Sequence, residues 1–133
     1  MSDYPGYLLR RASALAMARL AKRLKALHLN PTDATVLNVI DANPNAKQSE
    51  IGRMLDIARA NMAPLISRLA KRDLIERQPV DGRSHGLVLS RAGRALLPRI
   101  KAAFAEHEEE LMKKVSVSQR RVFVAGLRAL LEE

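Results

Sequence analysis

The sequence predicts a mainly α-helical protein with one small β-hairpin. Apolar residues recur at three- and four-residue steps over most of the 133 residues, which is typical of amphipathic helices. Two short helices are predicted within residues 46–72, and Asp81-Gly82 signals a tight hairpin soon after them. A helix-turn-helix followed by such a hairpin is a winged helix-turn-helix, and longer helices are predicted on both sides of it.

The N-terminal part of the chain is predicted to form two helices. The first covers residues 7–28, where apolar residues repeat at helical spacing and basic residues occupy the other faces. Asn30 is the predicted N-cap of the second helix, and Pro31 suits its first turn. The second helix is predicted to end near Ala42, because Asn43-Pro44-Asn45 breaks the helical pattern.

Two shorter helices follow, one from about Gln48 to Leu55 and one from about Arg59 to Arg72. Pro64 has no amide hydrogen, so it favours a position near the first turn of the second of these helices. The residues of that helix predicted to face the core are Met62, Leu65, Ile66 and Leu69.

Residues 74–80 and 86–89 have strand character and flank the hairpin turn. Ser90 is predicted to cap a long helix that ends near Lys114 and bends at Pro98. Val117-Ser118 is predicted to open a final helix.

The charge of the chain predicts an acidic partner. Lys and Arg total 23 against 14 acidic residues, which gives a net charge of +9. Such a balance favours nucleic acid, because neutralised phosphates release counterions, although a merely soluble basic surface explains the charge equally well. A helix that suits the major groove and a cationic hairpin beside it favour duplex DNA.

Several other functional classes find no support in the sequence. The chain has no cysteine, which excludes disulfides and thiol redox sensing. No pair of histidines has metal-ligand spacing, so no metal or other cofactor is expected. Neither a catalytic nucleophile–base arrangement nor a phosphate-binding loop is present, so no enzymatic activity is expected. Without a signal pattern or an apolar run of ~20 residues, the chain is expected in the cytoplasm and not in a membrane.

The outer helices carry more apolar surface than a small winged-helix core requires, which predicts burial against a second copy of the chain. The alternative is a monomeric bundle that folds back on itself. The residues predicted to mediate dimerisation are Leu8, Leu9, Phe123, Leu127, Leu130 and Leu131. The single domain, residues 1–133, would then comprise a DNA reader at 30–93 and dimerisation helices at 1–29 and 94–133.

Several segments, in this order and spacing, resemble the MarR family of winged-helix transcriptional regulators over nearly the whole chain. The matching segments are Leu8-Leu9-Arg10-Arg11, Leu29-Asn30-Pro31 with Val36-Leu37, residues 48–55, residues 65–77, Asp81-Gly82-Arg83 and residues 88–93. The resemblance implies an obligate homodimer, a palindromic operator, and repression that is relieved by a small, often aromatic or anionic ligand.

Four residues depart from the family pattern. Lys47 stands where a Thr or Ser cap is common, so a bond worth about 1 kcal/mol is expected to be lost. Asp56 and Asp73 replace the usual glycine in turns, and Asp tolerates left-handed backbone better than most residues. Arg121 replaces the acid expected three residues after a cap at Ser118, which opposes the helix dipole.

The exposed face of the predicted recognition helix supplies candidates for DNA contact. Arg59 and Asn61 are predicted to meet base edges, because Arg can pair with guanine O6/N7 and Asn with adenine N6/N7. The candidates to pack on a thymine methyl group are Ala60, Ala63 and Pro64. Ser67 and Arg68 are predicted to touch phosphate, and a surface ion pair is the alternative for Arg68.

The hairpin supplies a second set of candidates. Arg83 at its tip is predicted to enter the minor groove, where a guanidinium responds to the negative potential of A·T-rich sequence. Ser84 and His85 are predicted to bond phosphate, although His85 fits equally well as a plain turn residue. Asp81 is predicted to shape the wing, either by orienting Arg83 or by pairing with Arg77.

Two further groups are candidates. Gln48 and Ser49 begin the positioning helix and are either phosphate contacts or ordinary helix-start residues. A ligand pocket is expected where the outer helices meet the reader. Its candidate lining residues are Arg11, Met17, His28 and Phe104, with a helix-end role as the alternative for His28.

Two other functions fit the same sequence. One is an architectural protein that binds duplex DNA with little sequence preference, which would differ from a regulator by a far smaller ratio of specific to non-specific affinity. The other is a winged-helix module that binds a protein and has no affinity for DNA.

Overall fold

A computed structural model describes residues 2–133. Its helices and strands closely match the predicted order, and each boundary lies within a few residues of its predicted position. The elements are α1 (Pro5–Leu24), α2 (Pro31–Ala42), α3 (Gln48–Met54), α4 (Arg59–Lys71), β1 (Ile75–Pro79), β2 (His85–Leu89), α5 (Arg91–Lys113) and α6 (Arg120–Leu131). Single 3-10 turns at Lys25–Leu27 and Val117–Gln119 follow α1 and precede α6.

The junction between α1 and α2 holds the far end of α4. His28 ends the 3-10 turn in left-handed backbone, with φ of 56°. The Arg72 guanidinium donates to the backbone oxygens of His28 and Leu27, at 2.7 and 3.0 Å. Asn30 accepts from the Asp33 amide at 2.7 Å, which confirms the predicted cap of α2. The two Arg72 bonds fix the C-terminal end of α4 against the turn between the first two helices.

At Lys47, Asp56 and Asp73, which depart from the family pattern, a nearby hydrogen bond or a left-handed backbone conformation accommodates the unusual residue. At Lys47 the cap is partly replaced, because the Glu50 carboxylate accepts from the Lys47 amide at 3.0 Å. Asp56 and Asp73 both adopt left-handed backbone, with φ of 55° and 59°, as their turn positions predicted. The prediction of a Ser118 cap is wrong, because Ser118 lies inside the 3-10 turn and Gln119 precedes α6.

The hairpin is anchored to the helical core at its base. Strands β1 and β2 pair antiparallel, with Ile75 opposite Leu89 and Pro79 opposite His85. Leu87 also forms a β-bridge with Ala46 in the loop between α2 and α3. The β2 side of the hairpin is therefore hydrogen-bonded to the loop between α2 and α3, while the hairpin tip is exposed to solvent.

Gly86 → Ala is expected to destabilise the fold by about 1–3 kcal/mol, because the added carbon would overpack a tight contact. A Cβ at Gly86 would lie 2.3 Å from the carbonyl oxygen of Asn45, which belongs to the neighbouring loop backbone. Gly82 → Ala is the matched control, since a Cβ there meets nothing within 4 Å. Equal urea midpoints for the two variants would contradict the claim that the close contact between Gly86 and Asn45 leaves no room for a Cβ.

The hydrophobic core lies within the reader and the inner parts of the long helices. Its buried apolar residues run from Leu20 in α1 to Ala103 in α5 and include the inward face predicted for α4. The Ser90 hydroxyl accepts from the Gly93 amide at 3.0 Å, which confirms the cap of α5. That helix continues through Pro98 without ending. By contrast, α6 contributes no buried residue.

Candidate DNA-binding surface

Helix α4 presents one polar face to solvent and buries the opposite face. Met62, Leu65, Ile66 and Leu69 are buried, as predicted from their helical spacing. The predicted DNA-contact residues of the helix are all exposed. They are Arg59, Ala60, Asn61, Pro64, Ser67 and Arg68. The packing thus leaves these side chains exposed, as does that of Ala63, although Arg68 also forms an ion pair that is described below.

The N-terminal end of α4 lies in an open groove between α3 and the hairpin. This feature, the wing groove, has a volume of about 770 Å³. It brings together five predicted residues from three elements, which are Gln48, Ser49, Arg59, Ser84 and His85. Their convergence on one side of the protein is the arrangement needed for a continuous DNA contact.

The wing groove also contains basic residues that were not predicted as DNA contacts. Lys47 and Arg53 both line it. Arg53 lies four residues after Ser49 on α3, and residues at that spacing share one face of a helix. That spacing, combined with the exposure expected of Arg, was the signal available in the sequence.

Arg68 lies on the other side of α4 and forms an ion pair with α2. Its guanidinium donates to the Asp33 carboxylate at 2.9 Å. The Asp33 side chain is 10% exposed and the Arg68 side chain 53%. The structure therefore contains the ion pair that was the alternative to a phosphate contact. This pair connects the recognition helix to α2, 35 residues earlier in the chain.

The tip of the wing is organised by Asp81. Its carboxylate accepts from the backbone amides of Arg83 and Ser84, at 3.0 and 2.9 Å. These two bonds lower the pKa of the Asp81 carboxyl, with the Arg83 amide as the larger cause. Within residues 2–133 no ion pair joins Asp81 to Arg77. Asp81 therefore orients the Arg83 backbone, and the alternative pairing with Arg77 is not formed.

Asp81 → Ala is expected to weaken DNA binding, even though it removes a negative charge from a loop that is predicted to contact DNA. The loss of both amide bonds would free the tip that carries Arg83, whereas Asp81 → Asn keeps an oxygen that can accept them. Because folding lowers the pKa of Asp81, the ionised carboxylate stabilises the wing tip in full at neutral pH. This stabilisation is lost only as the pH falls through the folded-state pKa of Asp81, which lies below the ordinary value of 3.8. Fluorescence anisotropy at neutral pH checks the order of affinities, and tighter binding by the Ala variant than by the Asn variant would contradict it.

A cavity of about 460 Å³ lies where α1, α2 and α5 meet the turn between α3 and α4. We call it the inter-helix cavity. Met17 and Phe104, two of the predicted pocket residues, both line it. Arg11 and His28 do not line it: Arg11 donates to the Tyr7 hydroxyl at 3.1 Å, and the carbonyl of His28 binds Arg72. The polar part of the lining consists of residues that were not predicted to line a pocket, which are Thr32, Thr35, His107 and Glu108.

The outer helices expose apolar side chains that the chain itself does not cover. Every residue predicted to mediate dimerisation retains substantial exposure. The exposed fractions are 49% for Leu8, 44% for Leu9, 38% for Phe123, 36% for Leu127, 66% for Leu130 and 84% for Leu131. No helix within residues 2–133 is long and apolar enough to cross a membrane. The same part of the chain contains no cluster of acidic side chains and histidines that could hold a metal ion.

The fold and the surface formed by α4 and the wing define a winged-helix DNA-binding protein. A model of the MarR family matches residues 28–84. The chain is 33% identical to the transcriptional repressor CouR in a structure bound to a 23-mer DNA duplex. The TM-score is 0.90, and the match covers 98% of this chain and 94% of CouR. The chain therefore belongs to the MarR family, and it is a transcriptional regulator.

Two further comparisons extend this relationship. A CouR structure bound to p-coumaroyl-CoA is 31% identical, with a TM-score of 0.89 over 99% of this chain and 94% of that one. A transcriptional regulatory protein for the hcr operon of Thauera aromatica is 26% identical over 98% of this chain and 80% of its own length. The similarity thus includes the outer helices as well as the winged helix.

Proposed function

We propose that the chain is a homodimeric repressor that reads a palindromic operator in duplex DNA. The observation that carries this proposal is the combination of one recognition helix and wing per chain with uncovered apolar faces on α1 and α6. Pairing those faces would create a two-fold axis and place two reading helices on half-sites about 34 Å apart. In this division, residues 30–93 read DNA, while residues 1–29 and 94–133 dimerise.

We further propose that a small ligand in the inter-helix cavity releases the operator. Support comes from the CouR structure with p-coumaroyl-CoA and from the position of the cavity. Leu55 and Ile57 line the cavity, and the chain enters α4 two residues after Ile57. A ligand that displaces these side chains would shift the start of the recognition helix. The proposed role includes no catalytic step and places the protein in the cytoplasm, with the DNA it regulates.

The proposal is tested by fluorescence anisotropy on duplex from upstream of the protein's own gene, against a scrambled duplex at physiological salt. We expect at least about 10³-fold preference for the first duplex. Equal binding to both, with a steep loss as salt rises, would support the architectural alternative. No binding to either duplex would favour the protein-interaction alternative.

Arg83 → Ala is expected to weaken operator binding by roughly 1–3 kcal/mol, with the loss concentrated at A·T-rich positions next to the half-site. The side chain is exposed at the wing tip, where Asp81 holds its backbone. Operators with A·T or G·C flanks give the measurement. An equal loss on every duplex would instead assign Arg83 to a phosphate.

A further inference from the structure

We propose that Asp33 keeps Arg68 from contacting the DNA backbone, so that the α2 side of the recognition helix contributes little to phosphate binding. Asp33 is then a specificity-determining residue, because phosphate contacts strengthen binding to every duplex alike. This inference rests on the proposed function, since it concerns the surface that reads the operator. It favours the second of the two roles that the sequence left open for Arg68, which are a phosphate contact and an ion pair.

The Asp33 carboxylate is held in a nearly buried position. The Asp33 amide donates to the Asn30 side chain at 2.7 Å, which fixes the first turn of α2. The Asp33 side chain is 10% exposed, and the Arg68 guanidinium donates to it at 2.9 Å. Within residues 2–133 no other ion pair involves Asp33. Arg68 could leave Asp33 for a phosphate only by depriving a nearly buried carboxylate of its cation, and such a loss is strongly destabilising.

The intact pair has little attraction for a phosphate. The carboxylate lies so close to the guanidinium that, at the distance of a DNA phosphate, the two charges largely cancel. Solvent does reach the Arg68 side chain, which is 53% exposed. A cation that is already neutralised nevertheless displaces fewer counterions from DNA than a free one.

The surroundings of the pair add negative charge. An open groove of about 590 Å³, which we call the α2-side groove, lies between the start of α2 and α4. Its charged lining residues are Asp33, Asp56 and Arg68. Asp56 is exposed and forms no ion pair within residues 2–133. A phosphate in this groove would therefore be repelled by Asp56 without being attracted by a free cation.

The wing groove has the opposite balance of charge. Asp56 lines it as well, but there it is outnumbered by three cations, which are Lys47, Arg53 and Arg59. The DNA backbone is therefore expected to approach α4 mainly from the wing side. A single cationic side gives the helix one preferred orientation on the duplex, whereas cations on both sides would support more sequence-independent binding.

The test compares Asp33 → Asn with the wild type in the full chain, by fluorescence anisotropy on an operator duplex and a scrambled duplex over a range of salt. Asn keeps an oxygen that can accept but removes the charge, so Arg68 becomes available to a phosphate. We expect tighter binding to both duplexes, by about fivefold at physiological salt, and a salt slope steeper by about 0.9, because one more phosphate is neutralised. Weaker binding, or an unchanged salt slope, would overturn the proposal.

Arg68 → Gln separates this role from a direct phosphate contact. Alone, it is expected to leave the salt slope unchanged, because the paired Arg68 contacts no phosphate. In the Asp33 → Asn background, it is expected to remove the gain in slope. A slope that becomes shallower by about 0.9 for Arg68 → Gln alone would show that Arg68 binds phosphate while it is paired, which contradicts the proposal.

Asp41 → Asn is the matched control, because it makes the same change of charge on the same helix. Asp41 lies about 12 Å further along α2. It pairs with Lys101 at 3.6 Å and does not line the α2-side groove. We expect this variant to keep the wild-type salt slope. Equal gains for the two Asn variants would attribute the effect to net charge and would overturn the role of Asp33.

The pairing itself is measured without DNA. In urea, Asp33 → Asn and Arg68 → Gln are each expected to lower the unfolding midpoint, and the double variant to lower it by less than the sum. Additive shifts would refute the coupling between the two residues. Loss of selective binding by the wild type would refute the proposed function, whereas selective wild-type binding with no change of slope in Asp33 → Asn would refute this inference alone.

Discussion

Removal of residues 119–133 is expected to convert the regulator from a dimer into a monomer and to reduce operator affinity by about a hundredfold or more. The deleted segment contains α6, whose apolar residues remain partly or largely exposed within residues 2–133. A single reader would retain only one half-site. Sedimentation velocity measures the oligomeric state, and anisotropy on the full operator measures affinity.

The truncated chain is expected to remain folded, which makes the experiment interpretable. The described core extends from Leu20 to Ala103, and α6 contributes nothing to it. Circular dichroism and a thermal scan check this point. A truncated protein that is folded and still dimeric would refute the role of α6.

A point variant provides the same test without deletion. Leu127 → Glu places a charge on the apolar face of α6 and is expected to disrupt the dimer, because an unpaired charge would be buried there. Arg128 → Glu is the control, since it makes a larger change in net charge at the neighbouring exposed position. If both substitutions dissociate the dimer to the same extent, general electrostatic repulsion would explain the dissociation, and the apolar face of α6 would not.

Local features of the fold could be predicted from the sequence because their causes lie within a few residues. Asn30 and Ser90 cap their helices through amides three residues later. Asp56 and Asp73 adopt the left-handed backbone that their turns require. The α4 core face follows directly from helical periodicity. The misplaced cap at Ser118 shows the limit, because a 3-10 turn over Val117–Gln119 precedes α6 and moves its N-cap by one residue to Gln119.

The features of the site that could not be predicted from the sequence depend on contacts between segments that are far apart in the chain. The Arg68–Asp33 pair joins residues 35 apart, and nothing local distinguishes it from a phosphate contact. His107 was not predicted as a pocket residue, yet the packing of α5 against α1 buries it, and it lines the inter-helix cavity. The sequence could supply the chemical types of these side chains, but only the tertiary packing decides which of them meet.

Arg59 → Ala is expected to change the preferred base at one position of each half-site, with a loss of ~1–3 kcal/mol in discrimination there. Arg59 is the first residue of α4, and its exposed side chain lines the wing groove on the side of the helix that faces the hairpin. Arg59 → Lys is expected to restore charge but not the preference, because Lys lacks the two-pronged geometry that guanine requires.

Lys71 → Ala is the control for this prediction, because Lys71 lies at the opposite end of α4 and is also exposed. Selection of bound sequences from a randomised half-site gives the base preference directly, and a salt titration gives the number of phosphates neutralised. If Arg59 → Ala lowers affinity and the salt slope while the selected sequence stays unchanged, Arg59 contacts phosphate. Base reading would then fall to Asn61, whose amide can pair with adenine and which lies on the exposed face of the same helix.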